Sequence, residues 1–387
     1  MAANGSTPVL VDGARTPIGR FRGALSGIAP VELGAHAVRA TLARAPGLDP
    51  DYAAFGNVLQ AANGQNPGRQ AAIAGGMRRD VPGITLNDVC LASMSSVALA
   101  VAMVREGEAG TVLVGGFDSM TRAPHAVRLR GMPKMGDAPL VDVMIHDGLY
   151  CSIAGAGMGG LSDAENARLG IGRAEQDAFA ARSHRLAEAA TAEGRLADEI
   201  TPLPDELETD EGIRAGASAD GLGALPAAFG ADGTITAGNA SQLSDGGAAG
   251  LVTTLGAARA AGHAPLAAVV GRAVVAGPDS TLHLRPAEAA RKLLDRHGVR
   301  AGDVELWEIN EAFAGVALAS IAALGIAAER VNVNGGAIAL GHPLAASGIR
   351  LVLTLAYEMR RRGAGLGVAT MCGGGGQGEA ILLRSPA

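Results

Sequence analysis

With 387 residues the chain has room for two or three domains with large buried cores, so neither disulfides nor a structural metal is needed for it to fold. Its formal charge of −6, its two lysines (Lys134 and Lys292) and the lack of a basic stripe with interleaved aromatics argue against a nucleic-acid surface. Three distant cysteines, Cys90, Cys151 and Cys372, exclude a disulfide framework and lack zinc-ligand spacing, so reduced thiols, no metal and a cytoplasmic setting are expected. The N-terminus "MAANGSTPVLVDGARTP" has no basic region leading into an apolar one, and no segment reads as long and apolar enough to span a bilayer.

In chain order, "PVLVDGA" (8–14) reads as a strand and "PVELGAHAVRATLARA" (30–45) as a helix. A more apolar helix, "SSVALAVAMVREGE" (95–108), precedes the strand "GTVLVGG" (110–116). From about 122 to 244 the character changes: loop-like "RLRGMPKMGDAPL" and "DELETDEGIRAGASADGLG" flank the helical "AEQDAFAARSHRLAEAATAEGRLADEI", which predicts an inserted subdomain. The strand "AAVVGRAVVAG" (267–277), the helix "AASGIRLVLTLAYEMRRRG" (345–363) and the strand "GLGVATM" (365–371) then restore the earlier rhythm. Such alternation predicts an α/β fold, and continuous apolar strands predict sheets covered on both faces.

Two segments repeat one order of elements. From Asn87, and again from Asn334, the chain runs through a small-residue turn into a helix, an apolar strand and a run of glycines. That spacing predicts two copies of one α/β unit, and pseudo-symmetric halves commonly share a site between them.

Four residue types in this framework carry chemistry. Cys90, in "NDVCLASMSS", stands before a helix, where backbone N–H groups and the helix dipole favour a thiolate and a lowered thiol pKa; an isolated cysteine is as readily an inert buried thiol. His342, in "NGGAIALGHPLAASG", is clamped between Gly341 and Pro343 at a strand–turn–helix joint that can aim one imidazole nitrogen into a cleft; a lone histidine of this kind is more often structural or exposed. Asn310, in "WEINEAFAGVALA", orients a water or carbonyl, or else serves as an ordinary helix N-cap. Cys372 opens "CGGGG", whose glycines either make a tight turn or bare N–H groups toward an oxyanion. "TAGNASQLSDGGAAGLV" (236–252) reads as a loop feeding a glycine-rich helix start, where Ser241 and backbone N–H groups meet a ligand's polar atoms, or else the glycines serve close helix packing.

Taken together these motifs resemble the thiolase family. The resemblance runs nearly end to end through "ARTPIGRFRGAL" (14–25), "GNVLQAANGQNPGRQAA" (56–72), the Cys90 helix, "GGFDSM" (115–120), "HAVRLRGMPKMGDAPLVDVMIHDGL" (125–149), "MGGLSDAENAR" (158–168), "NEAFA", "GGAIALGHPLAASG" and "CGGGGQG". It implies a thiolase fold of two α/β domains in five layers (αβαβα) plus a loop domain. The corresponding boundaries are 1–121, completed by 245–266, for the N-terminal domain, 122–244 for the loop domain and 267–387 for the C-terminal domain. By the same resemblance Cys90 is the acyl-accepting nucleophile, His342 its activator, and Asn310 the holder of an oxyanion-binding water. Cys372 is the acid/base at the α-carbon of acetyl-CoA, and the N–H groups of Cys90 and Gly374 form a second oxyanion hole. Met158, Arg214, Ser241 and Phe313 fall at positions that contact CoA or the substrate.

The activity implied is reversible Claisen condensation of two acetyl-CoA to acetoacetyl-CoA and CoA in lipid metabolism, without a cofactor. The loop "RLRGMPKMGD" resembles a tetramerisation loop, which implies a homotetramer built as a dimer of dimers. A degradative 3-ketoacyl-CoA thiolase for longer or branched chains is the alternative; a CoA-binding scaffold without turnover and a β-ketoacyl synthase rank lower. The chain departs from the family at Leu91-Ala92-Ser93, where Ser93 is expected to narrow the space beside the thioester or strain the turn, and at Gly157, which makes room.

Overall fold

The computed structural model describes residues 4–131, 135–203 and 205–386. Nine strands form one mixed sheet path: β1 (Pro8–Arg15), β2 (Tyr52–Gly56), β3 (Gly83–Leu86), β4 (Thr111–Ser119), β5 (Ser244–Thr254), β6 (Ala267–Ala276), β7 (Leu306–Ile309), β8 (Leu366–Gly373) and β9 (Gln377–Arg384). Their spatial order is β7-β8-β9-β6-β1-β5-β4-β2-β3. The main helices are α1 (Pro30–Arg44), α2 (Pro67–Ala74), α3 (Ala92–Glu106), α4 (Met158–Leu169), α5 (Arg173–Ala192), α6 (Arg285–His297), α7 (Ala314–Leu324) and α8 (Leu344–Arg362).

The path has two halves that meet at β1 and β6 through the pairs Val9–Ala268 and Leu10–Ala267. In one half β2 runs parallel to β4, and β4 antiparallel to β5. In the other β7 runs parallel to β8, and β8 antiparallel to β9. The repeat in sequence is therefore a repeat in space. Its two helices, α3 and α8, pack together at the centre.

Alternation along the strands builds the layers. Val112 and Val114 of β4, with Ala369 and Met371 of β8, face a core filled by Met94, Val97 and Val101 of α3 and Ile349, Val352 and Leu355 of α8. Their neighbours face outward instead: Leu113 and Phe117 pack with Val38 of α1 and Ala71 of α2, whereas Val368 packs with Ala290 and Leu293 of α6. Helix, sheet, helix, sheet, helix is the resulting order, as the sequence led us to expect. Each buried Leu, Ile or Val contributes roughly 1.5–3 kcal/mol, so the central helices are held from both sides.

That position corrects one expectation. Residues Val89–Glu106 are long and apolar enough by composition to cross a bilayer. The helix is apolar nearly all round because a sheet covers it on each side, which is the other circumstance that produces such a sequence.

Between β4 and β5 lie α4, α5 and two short hairpins, His125–Ala126 with Val141–Asp142 and Tyr150–Cys151 with Ala156–Gly157. Buried Arg15 of β1 anchors this stretch through Glu199 and Asp210, each at 2.7 Å. The loop "RLRGMPKMGD" lies partly outside the described residues, at Met132, Pro133 and Lys134; Leu129 and Met135 beside them, and Leu140 just beyond the loop, are exposed.

Candidate active site

Cys90 sits in the turn between β3 and α3. Val89 has φ +48°, which a β-branched residue seldom adopts, and the chain reverses through bonds from Leu91 N–H to the Asp88 carbonyl (3.0 Å) and Ala92 N–H to the Val89 carbonyl (3.1 Å). Local strain of this kind is retained where the surroundings over-determine it. Here it sets the Cys90 sulfur ahead of the first residue of α3.

The structure overturns the expectation of a lowered thiol pKa. Burial pushes the Cys90 thiol up to about 12; the Gly374 N–H opposes that rise, and the carboxylates of Asp118 and Asp88 add to it. A helix terminus contributes roughly 0.3–1 kcal/mol, which desolvation of a thiolate outweighs. At rest Cys90 is therefore a thiol, and its ionisation calls for a base.

Cys372 is the penultimate residue of β8, paired with Gly378 of β9, and is buried. It packs with Leu282, Ala312 and Val316, joined by Met158 and Phe313. Burial raises its thiol, and a charge on Cys90 raises it further, so the two sulfurs sense each other and are not readily ionised together. The glycine turn beyond it packs on the Cys90 turn: a Cβ on Gly374 would stand 3.2 Å from Val89 Cγ1. At Gly376, φ is +76° and an added Cβ would fall 1.9 Å from the Asp279 carbonyl, so no side chain fits.

His342 is held at its backbone N–H and at both ring nitrogens. Its N–H meets the Gln242 carbonyl and Ser244 Oγ, both at 3.2 Å, its Nδ1 lies 2.5 Å from Ser347 Oγ, and its Nε2 lies 3.4 Å from Asn310 Nδ2. Burial, with Arg350 nearby, lowers its pKa to about 3, so the ring is neutral. A Nδ1–H donated to Ser347 leaves the Nε2 lone pair free to accept a proton.

Asn310 is not a helix cap, which corrects the local alternative: α7 starts at Ala314 after Phe313, and the Asn310 N–H donates to the Thr370 carbonyl at 3.0 Å. Its buried Oδ1 has no hydrogen-bond partner among the described residues, so the site retains an unused acceptor beside His342. Cys90 packs against Leu344 and Ala345 at the start of α8, two and three residues beyond His342. Cys90, Cys372, Gly374, His342 and Asn310 thus converge where the two halves meet.

The proposed substrate contacts divide. Met158 and Phe313 flank Cys372, and Ser241 joins them through its N–H to the Ala312 carbonyl at 3.0 Å, but the glycine-rich stretch after it enters β5 and not the helix expected there. Arg214 sits further out, with Nη2 donating to the Ala237 carbonyl at 3.0 Å and its N–H to His184 Nδ1 at 3.2 Å. The structure does not bring it to the cysteines. Exposed Phe229 meets Phe313 edge-on, centroids 6.3 Å apart, an addition that its isolated place in a loop hid from sequence reasoning.

Ser93 is turned toward α8. It is buried between α3 and α8, and its Oγ accepts the Ile349 N–H at 2.9 Å, while Leu91 packs on Gly373. The departure from the family pattern becomes a helix–helix contact. An added Cβ at Gly157 would meet nothing within 4 Å, as the sequence led us to expect.

Three supporting residues escaped the sequence reading. Ser347 holds the His342 ring, as above. Glu311 accepts bonds from Ser183 Oγ (2.6 Å), Asn332 Nδ2 (2.8 Å) and the Ile338 N–H (3.1 Å), bracing the segment before His342. Asp118 accepts from Asn57, Val58 and Leu59 on one oxygen and from the Ala345 N–H (2.8 Å) on the other, joining β4 to the start of α8. Burial pushes its carboxyl up to about 6 against those bonds. The acid inside apolar "GGFDSM" was its available signal. Cys151 accepts the Ala154 N–H at 3.4 Å and contacts Ser280 and Gly375, bracing the far side of the glycine turn. Among the described residues no three His, Cys, Asp or Glu side chains gather as metal ligands.

Comparison with known proteins agrees with this architecture. Residues 8–255 match the thiolase N-terminal domain and residues 263–385 the thiolase C-terminal domain. A Mycobacterium tuberculosis protein named Probable acetyl-CoA acetyltransferase is 46% identical over 98% of this chain and 100% of its own length. Proteins named acetyl-CoA acetyltransferase from Paracoccus denitrificans (43% identity, 98% of this chain, 99% of the relative) and Pseudomonas aeruginosa (44%, 97% and 98%) are similar throughout. With both domains matched in order and relatives alike from end to end, the chain belongs to the thiolase family.

Proposed function

We propose that the chain is an acetyl-CoA C-acetyltransferase that interconverts two acetyl-CoA with acetoacetyl-CoA and CoA. The observation that carries this reading is the meeting of a half-buried Cys90 thiol and a buried Cys372 thiol, with a Gly374 N–H on the Cys90 sulfur, beside the His342–Asn310 pair.

In the first half-reaction Cys90 attacks the thioester carbonyl as neutral His342 takes the thiol proton at Nε2. The tetrahedral oxyanion is met by the Cys90 and Gly374 N–H groups, and departing CoA takes the proton of Cys372. The resulting Cys372 thiolate faces protonated His342, which offsets the cost of its burial. In the second half-reaction that thiolate removes a proton from the α-carbon of another acetyl-CoA. The enolate oxygen develops charge against His342 Nε2–H and the Asn310 side, where donors fixed beforehand lower the barrier. The carbanion attacks the acetyl carbonyl, the Cys90–acyl bond breaks, and His342 returns its proton to Cys90. Protons balance, and no cofactor is required in this scheme.

Met158, Phe313, Ser241 and, at the outer rim, Arg214 are the groups we assign to the CoA arm. The exposed apolar residues Leu129, Met135 and Leu140 support a homotetramer, a dimer of dimers, and we place the enzyme in cytoplasmic lipid metabolism. The free space at Gly157 is the one feature favouring the alternative, longer or branched 3-ketoacyl-CoA substrates, and rates across a chain-length series separate the two.

Incubation with acetyl-CoA followed by intact-mass and peptide analysis tests the proposal. An acetyl adduct on Cys90 with release of CoA is expected; its absence removes the acyltransferase reading.

A further inference from the structure

A polar cluster beside the cysteine pair takes no part in the scheme above. Ser95 Oγ lies 3.1 Å from Asp88 Oδ2 and 2.9 Å from Glu379 Oε2. Gln377 Nε2 donates to Asp88 Oδ1 at 3.1 Å, and Arg272 Nη1 stands 3.4 Å from Glu379 Oε1. Asp88 belongs to the turn that carries Cys90. Gln377 and Glu379 pair with Gly373 and Met371, on either side of the Cys372–Gly378 pair. The cluster therefore ties the nucleophile turn directly to the hairpin bearing Cys372 and Gly374.

Counting protons gives this tie a chemical state. Ser95 has one hydroxyl hydrogen but touches two carboxyl groups, so with both ionised one oxygen–oxygen contact lacks a proton and two like charges face each other. All contacts are satisfied when one carboxyl keeps its proton, donates to Ser95 Oγ, and Ser95 donates to the other. Glu379 is the group that keeps it: it is fully buried, whereas Asp88 is partly exposed and already receives the Gln377 N–H. Burial pushes the Glu379 carboxyl up to about 7, with Arg272 and Ser95 opposing and Asp88 reinforcing. The other charges nearby are engaged elsewhere: Arg105 of α3 bonds the Val269 and Val270 carbonyls, and Arg285 of α6 pairs with Glu288 at 2.7 Å.

We infer that Asp88, Ser95, Glu379 and Gln377 form a protonation-dependent clasp between the Cys90 turn and the β8–β9 hairpin, with Glu379 a positioning residue for the approach of Gly374 to Cys90. The catalytic part of this inference rests on the reading of Cys90 as nucleophile. Because the folded carboxyl holds its proton to higher pH than the unfolded one, the clasp's contribution to stability falls as pH rises from the ordinary glutamate value to the raised one.

The test compares wild type with Glu379→Gln, whose amide donates to Ser95 Oγ at every pH, in single-turnover acetylation of Cys90 and in thermal unfolding, from about pH 6 to about pH 9. The ratio of the Glu379→Gln rate to the wild-type rate should climb from near one to about tenfold, and the variant should lose part of the wild-type fall in Tm with pH. Glu379→Ala should be slower at all pH values. A rate ratio flat across the range, with parallel Tm profiles, overturns the clasp. If wild type forms no Cys90 adduct at all, the functional reading fails by itself, and the Tm profiles still decide whether the clasp exists.

Discussion

Ser347→Ala gives a sharp test of how His342 is held. The hydroxyl lies 2.5 Å from Nδ1 in a fully enclosed setting, and its loss leaves a buried N–H without an acceptor, at a cost of about 1–3 kcal/mol. The ring escapes that cost by rotating or by moving its proton to Nε2. Either change removes the lone pair that receives the Cys90 proton. At about 1.4 kcal/mol per factor of ten, acetylation of Cys90 should slow roughly 5- to 150-fold at saturating acetyl-CoA, with substrate affinity little changed. Rapid-quench mass spectrometry reads the rate, and a binding titration with CoA reads the affinity. Acetylation within about twofold of wild type would show that Ser347 does not fix the base.

Other outcomes follow from the same geometry. Because burial raises the Cys90 thiol to about 12, alkylation of the free enzyme by iodoacetamide should be slow near neutrality and keep rising with pH; a plateau below about pH 8 would mean a resting thiolate–imidazolium pair instead. Ser93→Ala should cost about 0.5–1.5 kcal/mol in denaturant unfolding, through the lost bond from Ile349, while leaving the chain-length profile unchanged; a shifted profile would return Ser93 to the substrate side. Arg350→Ala strands buried Glu308, its partner at 2.7 Å, and should lower stability by about 3–5 kcal/mol in the same assay, whereas a near-neutral effect would show that the pair is dispensable.

The two halves were legible in the sequence because each repeat couples a helix to an apolar strand and a glycine turn, and those signals are local. The glycine after Cys372 was legible for the same reason. What sequence spacing could not weigh was burial. The place of Cys90 before α3 suggested a thiolate, but the sheets on both sides of that helix and the acids at 118 and 88 decide for the thiol. The same enclosure made Val89–Glu106 uniformly apolar. Asn310 read locally as a cap because its distance from the helix start, four residues, is set by the loop that Phe313 closes. Asp118 and Glu379 act through partners 227 and 284 residues away in sequence, which no local pattern displays.

The division of labour between the two cysteines is tested most directly in Cys372→Ala, supplied with acetyl-CoA deuterated at the methyl group. The account predicts that Cys90 becomes acetylated, that no acetoacetyl-CoA forms, and that deuterium stays on the methyl carbon. Condensation or deuterium loss at a rate comparable to wild type would contradict it and assign the carbon acid's base to another group.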